Sequence, residues 1–281
     1  MGNLAGLMSS VGRGGLQFML IIWLQGIWLP LHGYSFESTP LWAGIYLLPA
    51  TFGFLAAAPI AGSLADRFGA RPFTVGGMLL MAATFVALLL IPVNFNYWVF
   101  AVLVFLNGIG GGIFTAPNTA AIMSSVPRFA TRGGRLGGGA LDVLQRGQFA
   151  VHRDLLLADD CRAGPHPAHR DEPSLQAQGI SASVAHDVAN LPPVGSLFAA
   201  FLGGYNPIGE LLAPYNALHQ PGVNADVLTG QTFFPNLITE PFHSGLVVVF
   251  GAAALMMVIG AIASMFNPGR YGVAEVTEDQ A

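Results

Sequence analysis

Five apolar stretches, each about 20 residues or more, constrain this chain more than any other feature, because that length crosses the hydrocarbon core of a bilayer. They run from near Leu7 to Leu31, Leu41 to Leu64, Phe73 to Ile91, Tyr97 to Val126 and Gly245 to Phe266. Proline, glycine, asparagine and charge separate them, as at Leu29-Pro30-Leu31-His32-Gly33, Asp66-Arg67-Phe68-Gly69 and Pro92-Val93-Asn94. Buried segments of soluble proteins are shorter. Only 9% of the residues are charged, against about 25% in soluble domains. Lipid offers no partner to backbone amides, so each span must be helical. The sequence therefore predicts an all-α integral membrane protein with about five spans, and the first run reads as a span rather than a cleaved leader.

Arginine placement predicts orientation, since cytoplasmic loops hold the positive charge. Arg67 and Arg71 put the loop between the second and third spans inside, Arg13 lies towards the inner end of the first span, and Arg270 should also be inside. The turns around His32 to Glu37 and Asn94 to Asn96 carry no arginine and face out. A net charge of -4 leaves no basic stripe for nucleic acid. The single cysteine, Cys161, excludes an internal disulfide or a cysteine-based metal cluster. His152, His166 and His169 share no regular helix face, with Pro167 between the last two, so no metal site is expected. No catalytic pair of ionisable residues stands in a span, no phosphate loop is present, and neither enzyme nor cofactor chemistry is expected.

The stretch Gly62-Ser63-Leu64-Ala65-Asp66-Arg67-Phe68-Gly69-Ala70-Arg71 joins two spans through a very short charged turn. Gly62 is expected to let two helices approach closely, and Gly69 to supply a backbone shape that bulkier residues resist. Asp66 can cap the next helix or pair with an arginine, while Arg67 and Arg71 hold the turn at the cytoplasmic surface. This pattern resembles the cytoplasmic loop motif of the major facilitator superfamily. Arg13-Gly14-Gly15-Leu16-Gln17-Phe18, Leu106-Asn107-Gly108-Ile109-Gly110, Ala116-Pro117-Asn118-Thr119-Ala120-Ala121 and Leu191-Pro192-Pro193-Val194-Gly195 are similar to its fourteen-span drug:proton antiporter branch. The resemblance covers about residues 1–127 and 176–272. It implies a partial C-terminal six-helix bundle beginning at its first helix, a conformational switch at Gly62, Asp66, Arg67, Gly69 and Arg71, and an N-terminal bundle, carrying the proton-coupling residues, that this chain lacks.

Arg13, Gln17 and Gln25 are the polar groups of the first span, and their spacing of four and eight residues places them on one expected stripe. Such a stripe faces a bundle interior or a water-filled cavity. Arg13 is then either part of a substrate or proton path or a side chain snorkelling to the inner interface, and the glutamines either line that path or bond to neighbouring helices. In the fourth span Asn107 and Asn118 are further cavity candidates, Gly108 and Gly112 form a face for close helix packing, and Pro117 should bend the helix. That helix can flex during a transport cycle or serve packing alone.

Four segments follow: 1–127 with four spans, 128–175 strongly hydrophilic, 176–243 a long loop with interfacial pieces, and 244–281 with the last span and a cytoplasmic tail. Arg128 to Glu172 holds seven of the eleven arginines and no apolar run that could cross. It falls where the family has its fifth helix. Reading the gene one base later from His152 is compatible with the apolar string I-G-I-F-F-S-L-M-I-V-G-L. Compensating frameshifts and a genuine hydrophilic insertion are both open. As it stands, the segment should be cytoplasmic, with at most a short helix near Asp142 to Ala158.

The expected function is that of a multi-pass protein of the cell inner (cytoplasmic) membrane, exporting amphipathic or cationic small molecules against protons by alternating access, with lipid, protons and a small hydrophobic or cationic substrate as its partners. The alternative is an inactive fragment, or an interaction partner for a missing N-terminal bundle.

Overall fold

The structure, a computed structural model, describes residues 2–124, 171–189, 207–212, 215, 220, 223–230 and 232–265. The first apolar run forms α1 (Gly2–Ile22), which continues through six residues of π-helix, Trp23–Trp28, and a closing turn, Leu29–Leu31. A 3₁₀ turn at Phe36–Ser38 leads into α2 (Thr39–Tyr46) and, past a break at Leu47, α3 (Leu48–Phe68). Pro40 and Pro49 sit in the first turns of α2 and α3, where a missing N–H has no intrahelical partner to lose.

A single residue, Gly69, separates α3 from α4 (Ala70–Leu90). After the loop 91–96 comes α5 (Tyr97–Ser124), which continues through Pro117. Short helices follow: α6 (Asp171–Gln176), α7 (Ala182–Ala189), α8 (Pro207–Leu212) and α9 (Ala225–Leu228). The last helix, α10, spans Phe233–Met265.

Among the described residues five helical segments are long and apolar enough to cross a membrane: Ala5–Leu31, Phe36–Phe68, Ala70–Leu90, Tyr97–Ala120 and Phe242–Met265. They match the five expected runs, and the chain is a multi-pass, all-α membrane protein. In the bundle α3 packs on α5, α5 on α4, α4 on α10 and α10 on α1, with a lighter contact from α1 to α5. Met78, Met81, Phe85, Phe100, Phe250 and Met257 fill the centre. The outward sides stay apolar, with Phe52, Leu55, Leu90, Val248 and Leu255 exposed. Water would penalise such a surface, whereas lipid does not.

The end of the bundle opposite the Gly69 turn, the outer end in the orientation expected from arginine placement, is aromatic. The indole N–H groups of Trp23 and Trp28 donate to the carbonyls of Val93 and Phe95, each at 2.9 Å. Trp28 stacks on Phe95 with centroids 5.4 Å apart, and Phe95 on Phe100 at 4.5 Å. Tyr34 and Tyr46 share a hydroxyl hydrogen bond of 2.9 Å. Aromatic rings with one polar edge suit this interfacial depth.

Two features differ from expectation. The last helix begins at Phe233, well before Gly245; Pro235 falls in its first turn, where proline is tolerated, and the helix continues through Pro241. That helix also starts at the outer end: Phe242 lies 6.1 Å from Trp23 between ring centroids, while Gly260 packs near Ala5. α5 and α10 therefore run in the same direction. Ser124 ends α5 on the inner side, whereas Leu175 shares a small apolar core with Leu228 and Phe234 at the outer start of α10. This differs from the expectation for a chain lacking a fifth crossing, in which the last helix starts inside. The expected short helix near Asp142 to Ala158, the histidines His152, His166 and His169, and Cys161 lie outside the described residues.

Candidate functional site

Arg13 projects from α1 towards α3 and α5. Its guanidinium carbon lies 5.2 Å from the centroid of the Phe54 ring, and its Nη1 donates to Thr115 Oγ1 at the long distance of 3.5 Å. Gly111 makes room: a Cβ there would stand 3.2 Å from the guanidinium carbon. Phe54 is about 12 residues, or ~18 Å, along α3 from Asp66, which puts the charge well away from the cytoplasmic turn. The carboxylates nearest in sequence, Glu37 and Asp66, stand at the two ends of the second span.

The expected polar stripe is not continuous. Gln17 is exposed, whereas Gln25 is buried within the π-helical stretch at 6% exposure, and its Oε1 has no hydrogen-bond partner among the described residues. The twelve residues from Arg13 to Gln25 would rotate a side chain by about 120° even in regular helix, and the wider π turn alters the register again. Asn107 does not line the surface near Arg13. It is buried between α5 and α4, donating through Nδ2 to Thr84 Oγ1 at 2.7 Å, and Thr84 in turn donates to the carbonyl of Met81 at 2.8 Å. Asn118 is buried near the inner end of α5.

The glycine face of α5 is where helices come closest. A Cβ on Gly108 would collide with the carbonyl of Ala50, one on Gly53 with the carbonyl of Phe105, and one on Gly112 would sit 2.8 Å from the carbonyl of Phe54. Gly62, by contrast, has room for a Cβ, which would meet Ala116 at an ordinary 3.8 Å. Close approach of these helices rests on Gly53, Gly108 and Gly112 rather than on Gly62.

At the inner turn Gly69 adopts φ 87° and ψ 153° and donates its N–H to the carbonyl of Ala65 at 2.8 Å. Side chains with a Cβ are strained in this region. Asp66, Arg67 and Arg71 are exposed around it. Among the described residues no cluster of three or more histidine, cysteine or acidic groups could hold a metal. Phe54 and Thr84 carry no mark in the sequence, since a phenylalanine and a threonine in a span look like any other.

Residues 3–140 match the model of the Major Facilitator Superfamily. A multidrug resistance protein, MdtH, of Enterobacter sp. (strain 638) is 33% identical over 112 residues, covering 38% of this chain and 27% of that protein. The methylenomycin A resistance protein of Streptomyces coelicolor is 30% identical over 123 residues, 44% of this chain and 24% of that protein. The tetracenomycin C resistance and export protein of Streptomyces glaucescens is 27% identical over 254 residues, 90% of this chain and 41% of that protein. The matched parts of these relatives are thus well under half of their length. No solved structure matches the chain. With its apolar spans, the one-residue charged turn and the family match over residues 3–140, the chain belongs to the Major Facilitator Superfamily.

Proposed function

We propose that the chain forms part of an exporter of amphipathic small molecules in the bacterial inner membrane, working by alternating access against an inflow of protons. The substrates anticipated from the sequence include hydrophobic and cationic compounds. The observation that carries this reading is the similarity to a resistance and export protein that extends across 90% of this chain. In this reading the Asp66 to Arg71 turn biases the switch between inward- and outward-facing states, and the surface around Arg13 faces the substrate path.

The test is flux in vesicles carrying the intact parent protein under an imposed proton gradient. Gradient-driven movement of hydrophobic compounds is expected, and Asp66→Asn should impair it at unchanged membrane levels. No gradient-driven flux of any such compound would sink the reading.

A further inference from the structure

Arg13 is the one charged side chain within the five spans that does not stand near a span end. A guanidinium at that depth calls for a counter-charge or several oxygen acceptors. Among the described residues its contacts supply little of either: one hydroxyl at 3.5 Å and the face of Phe54. The fork carries five N–H donors, and this arrangement leaves most of them for another acceptor. The surroundings are shaped for close approach, with the bare backbone of Gly111 on one helix and an aromatic ring on another. Away from their ends, the same spans hold no acidic side chain to meet a cation.

We propose that Arg13 is an anion-binding residue for the transported molecule, taking the carboxylate of an amphipathic aromatic acid while Phe54 packs on its ring system. A planar guanidinium fork fits a carboxylate through two parallel hydrogen bonds. The inference rests on the export reading and narrows it from cations to organic acids. The same chemistry would take a carboxylate side chain from elsewhere in the protein, and the experiment separates the two.

The full chain is purified into lipid nanodiscs, and binding of three fluorescent probes is measured against empty discs: anthracene-9-carboxylate, its methyl ester and 9-(aminomethyl)anthracene. The acid is expected to bind about ten-fold more tightly than the ester or the amine. Arg13→Gln should remove that preference, bringing acid binding down to the level of the ester, and Arg13→Lys should keep part of it. Gly111→Ala, which crowds the guanidinium, and Thr115→Val keep the charge; both should weaken acid binding several-fold, and they carry the test if Arg13→Gln does not fold. Equal binding of acid and ester by the parent overturns the proposal, and is also the result expected if a protein carboxylate already holds Arg13. An acid preference that survives Arg13→Gln overturns it as well. An Arg13-dependent preference without gradient-driven accumulation of the acid in vesicles keeps the site and sinks the export reading. Accumulation of all three probes alike, independent of Arg13, does the reverse.

Discussion

Asn107 on α5 donates to Thr84 on α4 at 2.7 Å, and both side chains are buried. Thr84→Val keeps the shape and removes the acceptor. Interhelical hydrogen bonds in membranes contribute about 0.6 kcal/mol on average and at most ~1.7, so a loss in that range is expected. Thr84→Ser should retain parent stability. Thermal unfolding in detergent measures both, and a Thr84→Val protein as stable as the parent would refute the assignment.

Gly108→Ala should be far more damaging than Gly62→Ala. The first pushes a methyl group into the carbonyl of Ala50, a backbone atom that cannot step aside, while the second fills ordinary space beside Ala116. Overpacking of this kind costs about 1–3 kcal/mol or more. Loss of a monodisperse peak in size-exclusion chromatography for Gly108→Ala, with Gly62→Ala intact, is the expected result.

Much of this is legible in the sequence, and the failures have physical causes. Apolar run length places all five spans, because hydrocarbon thickness leaves few alternatives. The turn at Gly69 follows from a glycine between charges and apolar runs. The pairing of Thr84 with Asn107 is not legible, since helical periodicity says nothing about which neighbour a face meets. Steps of four and eight residues each stay close to one helix face, but their sum from Arg13 to Gln25 drifts by about 120°, and the π-helical stretch from Trp23 to Trp28 shifts the register again. The early start of α10 is hidden by Pro235 and Pro241, which read as breakers in sequence; the first is harmless in a first turn and the helix continues through the second.

Gln25→Met should raise stability. The buried Oε1 accepts no hydrogen bond from the described residues, and an unsatisfied polar group costs about 1–3 kcal/mol. Methionine has similar length and no such atom. A higher melting temperature is expected. A lower one would mean that the amide is satisfied in the membrane-embedded protein.

Orientation can be read by labelling. In a Cys161→Ser background, Asp226→Cys on α9 should react with an impermeant maleimide in intact cells, whereas Arg67→Cys should react only after the membrane is opened. The reverse pattern would invert the topology.

All four tryptophans of the chain, Trp23, Trp28, Trp42 and Trp98, belong to the outer end. Intrinsic emission of the protein is therefore a one-sided optical gauge. Lipids brominated near the headgroup of the outer leaflet should quench it strongly, and the same lipids confined to the inner leaflet should leave it almost untouched.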